Sequence, residues 1–178
     1  PAQGQYSSYN NGVSTGQLNG QVASFQAFWV RANGNNATLT INEKAKTSSN
    51  GIFFRSGSND TKTLVRIRLK TDAPNVWDEA VIGFHDGAFT EYDPELDALK
   101  MFATDTNLPN IALVPDTTLN DPYSIAMVPI PVEDSSYDLL IKPGNKTSFS
   151  LENTLVDSFD SDICMVLEDR EMQTTQPF

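Results

Sequence analysis

The sequence predicts an all-β fold: a β-sandwich of about ten short strands, with either a jelly-roll or an immunoglobulin-like topology. Residues 63–70 alternate between apolar side chains and cations, and this period of two is the signature of a half-buried strand. Other short apolar segments recur along the chain between clusters of turn residues, without an amphipathic stretch of helical length. Short strands at such spacing are typical of sandwiches.

The first half of the chain predicts four strands. Residues 25–31 are apolar on both faces, so we expect a covered central strand with Trp29 in the core. An Asn/Gly turn at 33–36 leads to a hairpin partner at 37–42. A short strand at 52–55 and the alternating strand at 63–71 follow.

The second half of the chain predicts further short strands and one acidic loop. The loop spans 85–98 and contains Gly87 and Pro94, which interrupt any regular pattern. In the segment 123–130 we expect Ile125 and Met127 on one side, and its prolines indicate that it ends at a sheet edge. The expected strands are 79–84, 100–103, 111–114, 123–130, 136–142, 147–151 and 163–168.

The domain organisation is expected to be simple. Residues 1–21 are polar and predict an N-terminal arm or loop, and residues 22–178 predict one β-sandwich domain. Because the chain opens at Pro1 without a methionine, we interpret it as a processed product or an excised fragment, with truncation at the C-terminus as one form of the latter.

The charge of the chain is large and unevenly distributed. The formal net charge is −11, with +6 on residues 1–71 and −17 on residues 72–178. An acidic protein is a poor ligand for phosphate backbones, so we expect no nucleic-acid partner. No run of 18 apolar residues is present, so we expect no membrane insertion. We expect the cations of the alternating strand to face carboxylates on neighbouring strands; an open polyanion-binding face is the alternative.

The sequence predicts that the protein is not an enzyme. His85 and Cys164 are the single histidine and cysteine, so a Ser-His-Asp or Cys-His mechanism would have to run through His85, and a histidine-based zinc site is ruled out by the same count. Cys164 lies between Ile163 and Met165 and is expected to be a core residue. Among 23 acidic residues, some pair will meet glycosidase spacing by chance.

Two kinds of binding site are candidates. Asp86, Asp93 and Asp97 in the acidic loop are candidate Ca²⁺ ligands, because Ca²⁺ takes oxygen ligands in irregular geometry. The alternative is a solvated acidic loop whose Tyr92 and Leu96 pack inward; aspartates that cap backbone amides would hold such a loop equally well. Trp77 and Tyr92 are candidate platforms for stacking a sugar. A second acidic cluster has the same two interpretations, calcium or an Asx-rich turn; its residues are Asp157, Asp160 and Asp162.

Several weak motifs occur in an order that resembles a known family. They are FQAFWVRA at 25–32, FFRS at 53–56, LVRIRLK at 64–70, DEAVIGF at 78–84, EYD at 91–93 with KMF at 100–102, and MVLED at 165–169. Over roughly residues 22–170 the chain is similar to the β-sandwich region that precedes the C-terminal sorting domain in Bacteroidota cargo proteins of the type IX secretion system. Two features depart from that pattern: Ala27 stands where the pattern usually has glycine, and the given sequence stops at Phe178, before a final sandwich strand or a sorting domain.

The resemblance implies export and a structural role. We therefore expect a non-catalytic module of a secreted or cell-surface bacterial protein, acting as a spacer or in adhesion. Its expected partners are other domains of the same parent protein or the secretion machinery, and surface glycans are a further candidate. One alternative is a carbohydrate-binding module with a calcium-supported sugar site, and another is a self-assembling jelly-roll subunit.

Overall fold

A computed structural model of the chain describes residues 6–16, 20–22, 27–32, 34–47, 63–115, 121–131, 134–157 and 164–178, except for the side chains of 155–157. Within these ranges the fold is all-β, as the sequence predicts. A single 3-10 turn at Glu43–Ala45 is the one helical element there, and no described helix is long and apolar enough to cross a membrane. The strands are β1 (Tyr9–Asn10), β2 (Val13–Ser14), β3 (Thr63–Thr71), β4 (Trp77–Phe84), β5 (Ala98–Leu99), β6 (Asn110–Val114), β7 (Tyr123–Val128), β8 (Asp138–Lys142), β9 (Phe149–Asp157), β10 (Val166–Asp169) and β11 (Thr174–Pro177).

Seven of these strands form one mixed sheet. Its order is β8-β6-β7-β4-β3-β9, with β5 also paired to β7, and β4 and β7 run parallel. If the six strands from β8 to β9 lay in a flat sheet, the two edge strands β8 and β9 would be about 24 Å apart. Residues 143–148 join the two edge strands and include a turn, so the sheet curls and its two halves face each other. This arrangement is consistent with the predicted β-sandwich of short strands.

The alternating strand predicted at 63–71 is β3, and its two faces differ as expected. Val65, Ile67 and Leu69 are buried, whereas the cations between them point to the opposite face. β4 lies between β3 and β7 and is buried on both faces, which explains its continuous apolar run.

The main core lies on the inner face of the curled sheet. Aromatic and aliphatic side chains from the other strands, and from the two residues that flank the C-terminal hairpin β10–β11, surround the buried face of β3. Met165 and Phe178 pack against this core, and the Phe178 amide donates to the Met165 carbonyl at 3.0 Å. The fully or nearly buried members are Val65, Ile67, Leu69, Ala80, Ile82, Ile111, Leu113, Tyr123, Ala126 and Val128.

A smaller apolar cluster lies on the outer face, where the N-terminal hairpin covers the sheet. The strands β1 and β2 pair through Asn10 and Val13, and Val13 packs against Val81 and Ile125. Within the range predicted as an arm or loop, the described residues 6–16 form a packed β-hairpin. It is held mainly by hydrogen bonds to the sheet rather than by apolar contacts.

Two segments predicted as strands, 25–31 and 37–42, form no strand in the part of each that the structure describes. Residues 27–32 and 37–42, which we call the apolar ribbon, are irregular and lie on either side of a turn at 34–36. The ribbon leaves five large side chains 53–74% exposed: Phe28, Trp29, Val30, Leu39 and Ile41. The predictions of a covered strand and of a buried Trp29 are therefore wrong. A strand-like composition means that the side chains suit the surface of a sheet. A strand forms only where the backbone also pairs with a neighbouring strand.

The remaining differences concern where strands begin and end. The segment predicted at 100–103 is not a strand; the pairing lies just before it, in β5. β7 ends at Val128, before the prolines, and lies inside the sheet rather than at an edge. β9 continues to Asp157, well beyond the predicted end at 151, and β11 was not predicted. The predicted strand at 52–55 lies outside the described residues.

Candidate functional site

The acidic loop is held by hydrogen bonds between its own carboxylates and backbone amides. Asp97 is buried, and its two carboxylate oxygens accept the N–H of Met127 at 2.7 Å and of Asp93 at 2.8 Å. Asp93 accepts the N–H of Glu95 at 2.8 Å. The structure thus brings two of the three predicted calcium ligands together, in the backbone-capping arrangement that was the alternative interpretation.

The third predicted ligand, Asp86, lies in an exposed turn. Among the residues that the structure describes, no group of three or more His, Cys, Asp or Glu side chains is arranged to hold a metal. Asp160 and Asp162 of the second cluster lie outside the described residues, as does the side chain of Asp157. A calcium site at either cluster stays a prediction.

Burial has a measurable consequence for Asp97. Desolvation raises the pKa of its carboxyl above the ordinary value, and the hydrogen bonds from Asp93 and Met127 oppose that shift. The group therefore serves as a structural anchor that joins the acidic loop to β7.

The two predicted sugar platforms are both half-buried and already in contact with other groups. The Tyr92 ring stacks on Tyr123, with centroids 6.0 Å apart and planes 8° apart, and the Arg31 guanidinium lies 5.4 Å from the Tyr92 centroid. Arg31, Ala32, Tyr92 and Pro94 line a shallow depression of about 320 Å³.

Trp77 lies on the outer face of the sheet, at the start of β4. The Arg68 guanidinium lies 4.1 Å from its ring centroid, which is a cation–π contact. Arg68 therefore covers part of the ring surface that a sugar would use. Sugar binding at Trp77 or Tyr92 stays a prediction.

The cations of β3 meet carboxylates on both neighbouring strands, as the sequence predicts. Glu79 of β4, whose side chain is 1% exposed, accepts from Arg66 at 3.0 Å and from Arg68 at 3.1 Å. Lys70 pairs with Glu152 of β9 at 3.2 Å near the surface. The interpretation as paired charges is confirmed for these three cations.

Glu79 and its partner Arg66 also hold the N-terminal hairpin against the sheet. The Gly16 amide donates to Glu79 Oε1 at 3.0 Å, and Arg66 donates to the Ser14 carbonyl at 2.5 Å. Ser8 and Ser124 share a hydroxyl hydrogen bond of 2.6 Å, and the Asn10 amide donates to the Asp97 carbonyl at 2.7 Å. The charge alternation of β3 signalled the ion pairs, but nothing in the sequence indicated that a hairpin would close over them.

A second ion pair, which the sequence reasoning missed, is buried in the sheet. Lys100 follows β5 and hydrogen-bonds to the carboxylate of Asp78 in β4; the two side chains are 3% and 5% exposed. The Ile111 amide donates to the same Asp78 oxygen at 2.8 Å. Burial lowers the pKa of Lys100, and the neighbouring Asp78 charge opposes that shift. The available signal was a lone lysine in the apolar stretch 98–103.

The single cysteine and histidine are both at the surface. Cys164 is exposed, so its predicted place in the core is wrong. It precedes β10 in the C-terminal hairpin, whose packing side includes Met165 instead. His85 is exposed at the end of β4.

Comparisons with known proteins identify no relative: no family model, no curated protein and no solved structure matches the chain.

Proposed function

We propose that this chain is a non-catalytic β-sandwich module of a secreted or cell-surface protein, and that it contacts a protein surface through its apolar ribbon. The observation that carries the proposal is the exposure of the five large ribbon side chains, with Trp29 the most exposed at 74%. Contiguous exposed apolar patches mark interaction sites on soluble proteins. The location at the cell surface rests on the family resemblance.

The environment of the acidic groups supports a structural role. The buried carboxylates of Asp78, Glu79 and Asp97 each accept hydrogen bonds from cations or backbone amides that hold strands or loops together. A general acid or base needs a substrate within hydrogen-bonding reach. These three groups face their structural partners instead.

A self-association experiment tests the ribbon. In a solution of the purified chain, a second copy is the protein surface available to the ribbon, so we expect sedimentation velocity to show concentration-dependent association. A variant with Trp29→Ser and Leu39→Ser should sediment as a monomer. The matched control, Phe89→Ser with Met172→Ser, removes two side chains of comparable exposure outside the ribbon and should associate like the parent. Monomeric sedimentation of all three proteins at every concentration would refute self-association through the ribbon.

The depression beside Tyr92 favours a second candidate, a carbohydrate-binding module. It places the Tyr92 ring beside Arg31, which adds a positive charge at its rim. Calorimetric titration with neutral and acidic oligosaccharides tests this candidate. Binding that is lost in both Tyr92→Ala and Arg31→Ala would support it, and heats equal to dilution for every sugar would refute it.

A further inference from the structure

The Lys100–Asp78 pair combines three features. Both side chains are almost wholly removed from solvent. The amine is in hydrogen-bonding contact with the carboxylate, and a backbone amide, Ile111 N–H, points at that same oxygen from 2.8 Å. The position of Lys100 is set by its own amide, which donates to the Pro122 carbonyl at 2.8 Å.

We propose that Lys100 and Asp78 are the site of an intramolecular amide bond, an isopeptide cross-link between the side chains that forms after folding. The geometry supplies proximity and orientation, which in well-aligned intramolecular reactions are equivalent to reactant concentrations of about 10⁵–10⁸ M. It also supplies an oxyanion donor, because the Ile111 amide can stabilise negative charge that develops on Oδ2.

The reaction balances without an external reagent. The Lys100 ammonium, which contacts Oδ2, first gives up a proton that ends on Oδ1 of the Asp78 carboxyl, and this leaves an amine beside a carboxylic acid. The amine lone pair then attacks the carboxyl carbon to form a C–N bond. The bond from that carbon to Oδ1 breaks, and Oδ1 leaves as water with the transferred proton and one amine proton. Oδ2 remains as the amide oxygen, bonded to the Ile111 N–H.

The product removes an unfavourable feature of the core. A buried ion pair retains a desolvation cost that its Coulombic attraction need not repay. A neutral amide has no such charge cost and keeps the hydrogen bond to Ile111. The cross-link would also join the start of β4 to the chain after β5, closing a covalent loop around the acidic segment.

A tryptic map of the denatured protein tests the proposal directly. No Lys or Arg lies between Lys70 and Lys100, and the next cleavable site after Lys100 is Lys146, because Pro143 follows Lys142. An acylated Lys100 resists trypsin. We therefore expect one peptide spanning 71–146 whose mass is lower than its sequence by one water. Separate peptides 71–100 and 101–146 at full mass would overturn the proposal.

One side reaction imitates the mass change and must be separated. Asp86-Gly87 can lose water to form a succinimide within the same peptide. A succinimide leaves cleavage after Lys100 intact and reopens in mild base, whereas the amide blocks cleavage and survives. In Lys100→Arg, which keeps the positive charge, the intact mass should equal the full sequence. Loss of water that persists in that variant after mild base treatment would refute the cross-link.

Discussion

Replacing Glu79 with Gln tests a buried carboxylate on the outer face of the sheet that accepts hydrogen bonds from three groups. Its carboxylate accepts from Arg66, Arg68 and the Gly16 amide, all at 3.0–3.1 Å, while its side chain is only 1% exposed. A glutamine has one acceptor oxygen and presents an N–H₂ donor to groups that are themselves donors. The substitution therefore leaves a cation unpaired without changing the size of the side chain.

The expected magnitude follows from burial. Breaking a buried ion pair by removing one partner costs about 3–5 kcal/mol. Because Arg68 is 25% exposed and water can partly replace its partner, we expect the lower end, about 3 kcal/mol. At about 2–4 °C per kcal/mol for a domain of this size, the melting temperature should fall by about 6–12 °C.

Glu152→Gln is the matched control, because Glu152 and Glu79 face Arg68 from opposite sides in the strand register. Glu152 pairs with Lys70 at the surface, where the side chains are 40% and 52% exposed. Such a pair is worth about 0–1 kcal/mol, and added salt weakens it further.

Urea unfolding of the parent and both variants, at low and at high salt, measures the difference. We expect the Glu79→Gln loss to persist in high salt, and amide exchange to become faster at Gly16, which loses its acceptor. Equal destabilisation by the two variants would refute the reasoning that burial, rather than charge pairing alone, decides the contribution.

Three further predictions concern the loops. Asp97→Asn should destabilise the fold by about 1–3 kcal/mol, because one buried backbone N–H loses its acceptor. Since the folded-state pKa of Asp97 is raised, the parent gains stability as the pH falls through that pKa, so urea melts should show a larger deficit at about pH 4 than at about pH 7. Gly144→Ala should lower the melting temperature, because Gly144 has φ +69° and a Cβ there would lie 2.5 Å from the Thr106 carbonyl oxygen, whereas Gly34→Ala, with open space around it, should not. The calcium hypothesis predicts a higher melting temperature in millimolar Ca²⁺ than in EDTA, and coincident melting curves would contradict it.

The predictable part of the fold was the part in which local pattern and tertiary environment agree. The alternation at 63–71 indicated both the buried face of β3 and the paired charges of its outer face, and both are confirmed. The same logic failed at 27–32 and 37–42, where equally apolar segments remain exposed. Apolar side chains favour removal from water but do not specify which surface removes them.

The candidate sites divide in a similar way. The sequence indicated that Asp93 and Asp97 share a loop, but only the structure showed that both oxygens of Asp97 are occupied by backbone amides. The Lys100–Asp78 contact joins residues 22 positions apart, on segments whose order in the sheet is not encoded in their local composition.

By itself, the sequence determined the all-β class, the inner face of β3 and the pairing of its cations, because these depend on a period of two that local chemistry sets directly. The tertiary structure alone decided that β7 is central, that the N-terminal hairpin closes over Glu79, and that the apolar ribbon stays exposed. Strand order and the covering of a face depend on contacts between distant segments. Each segment by itself is compatible with several partners, and the free energy of the whole assembly selects among them.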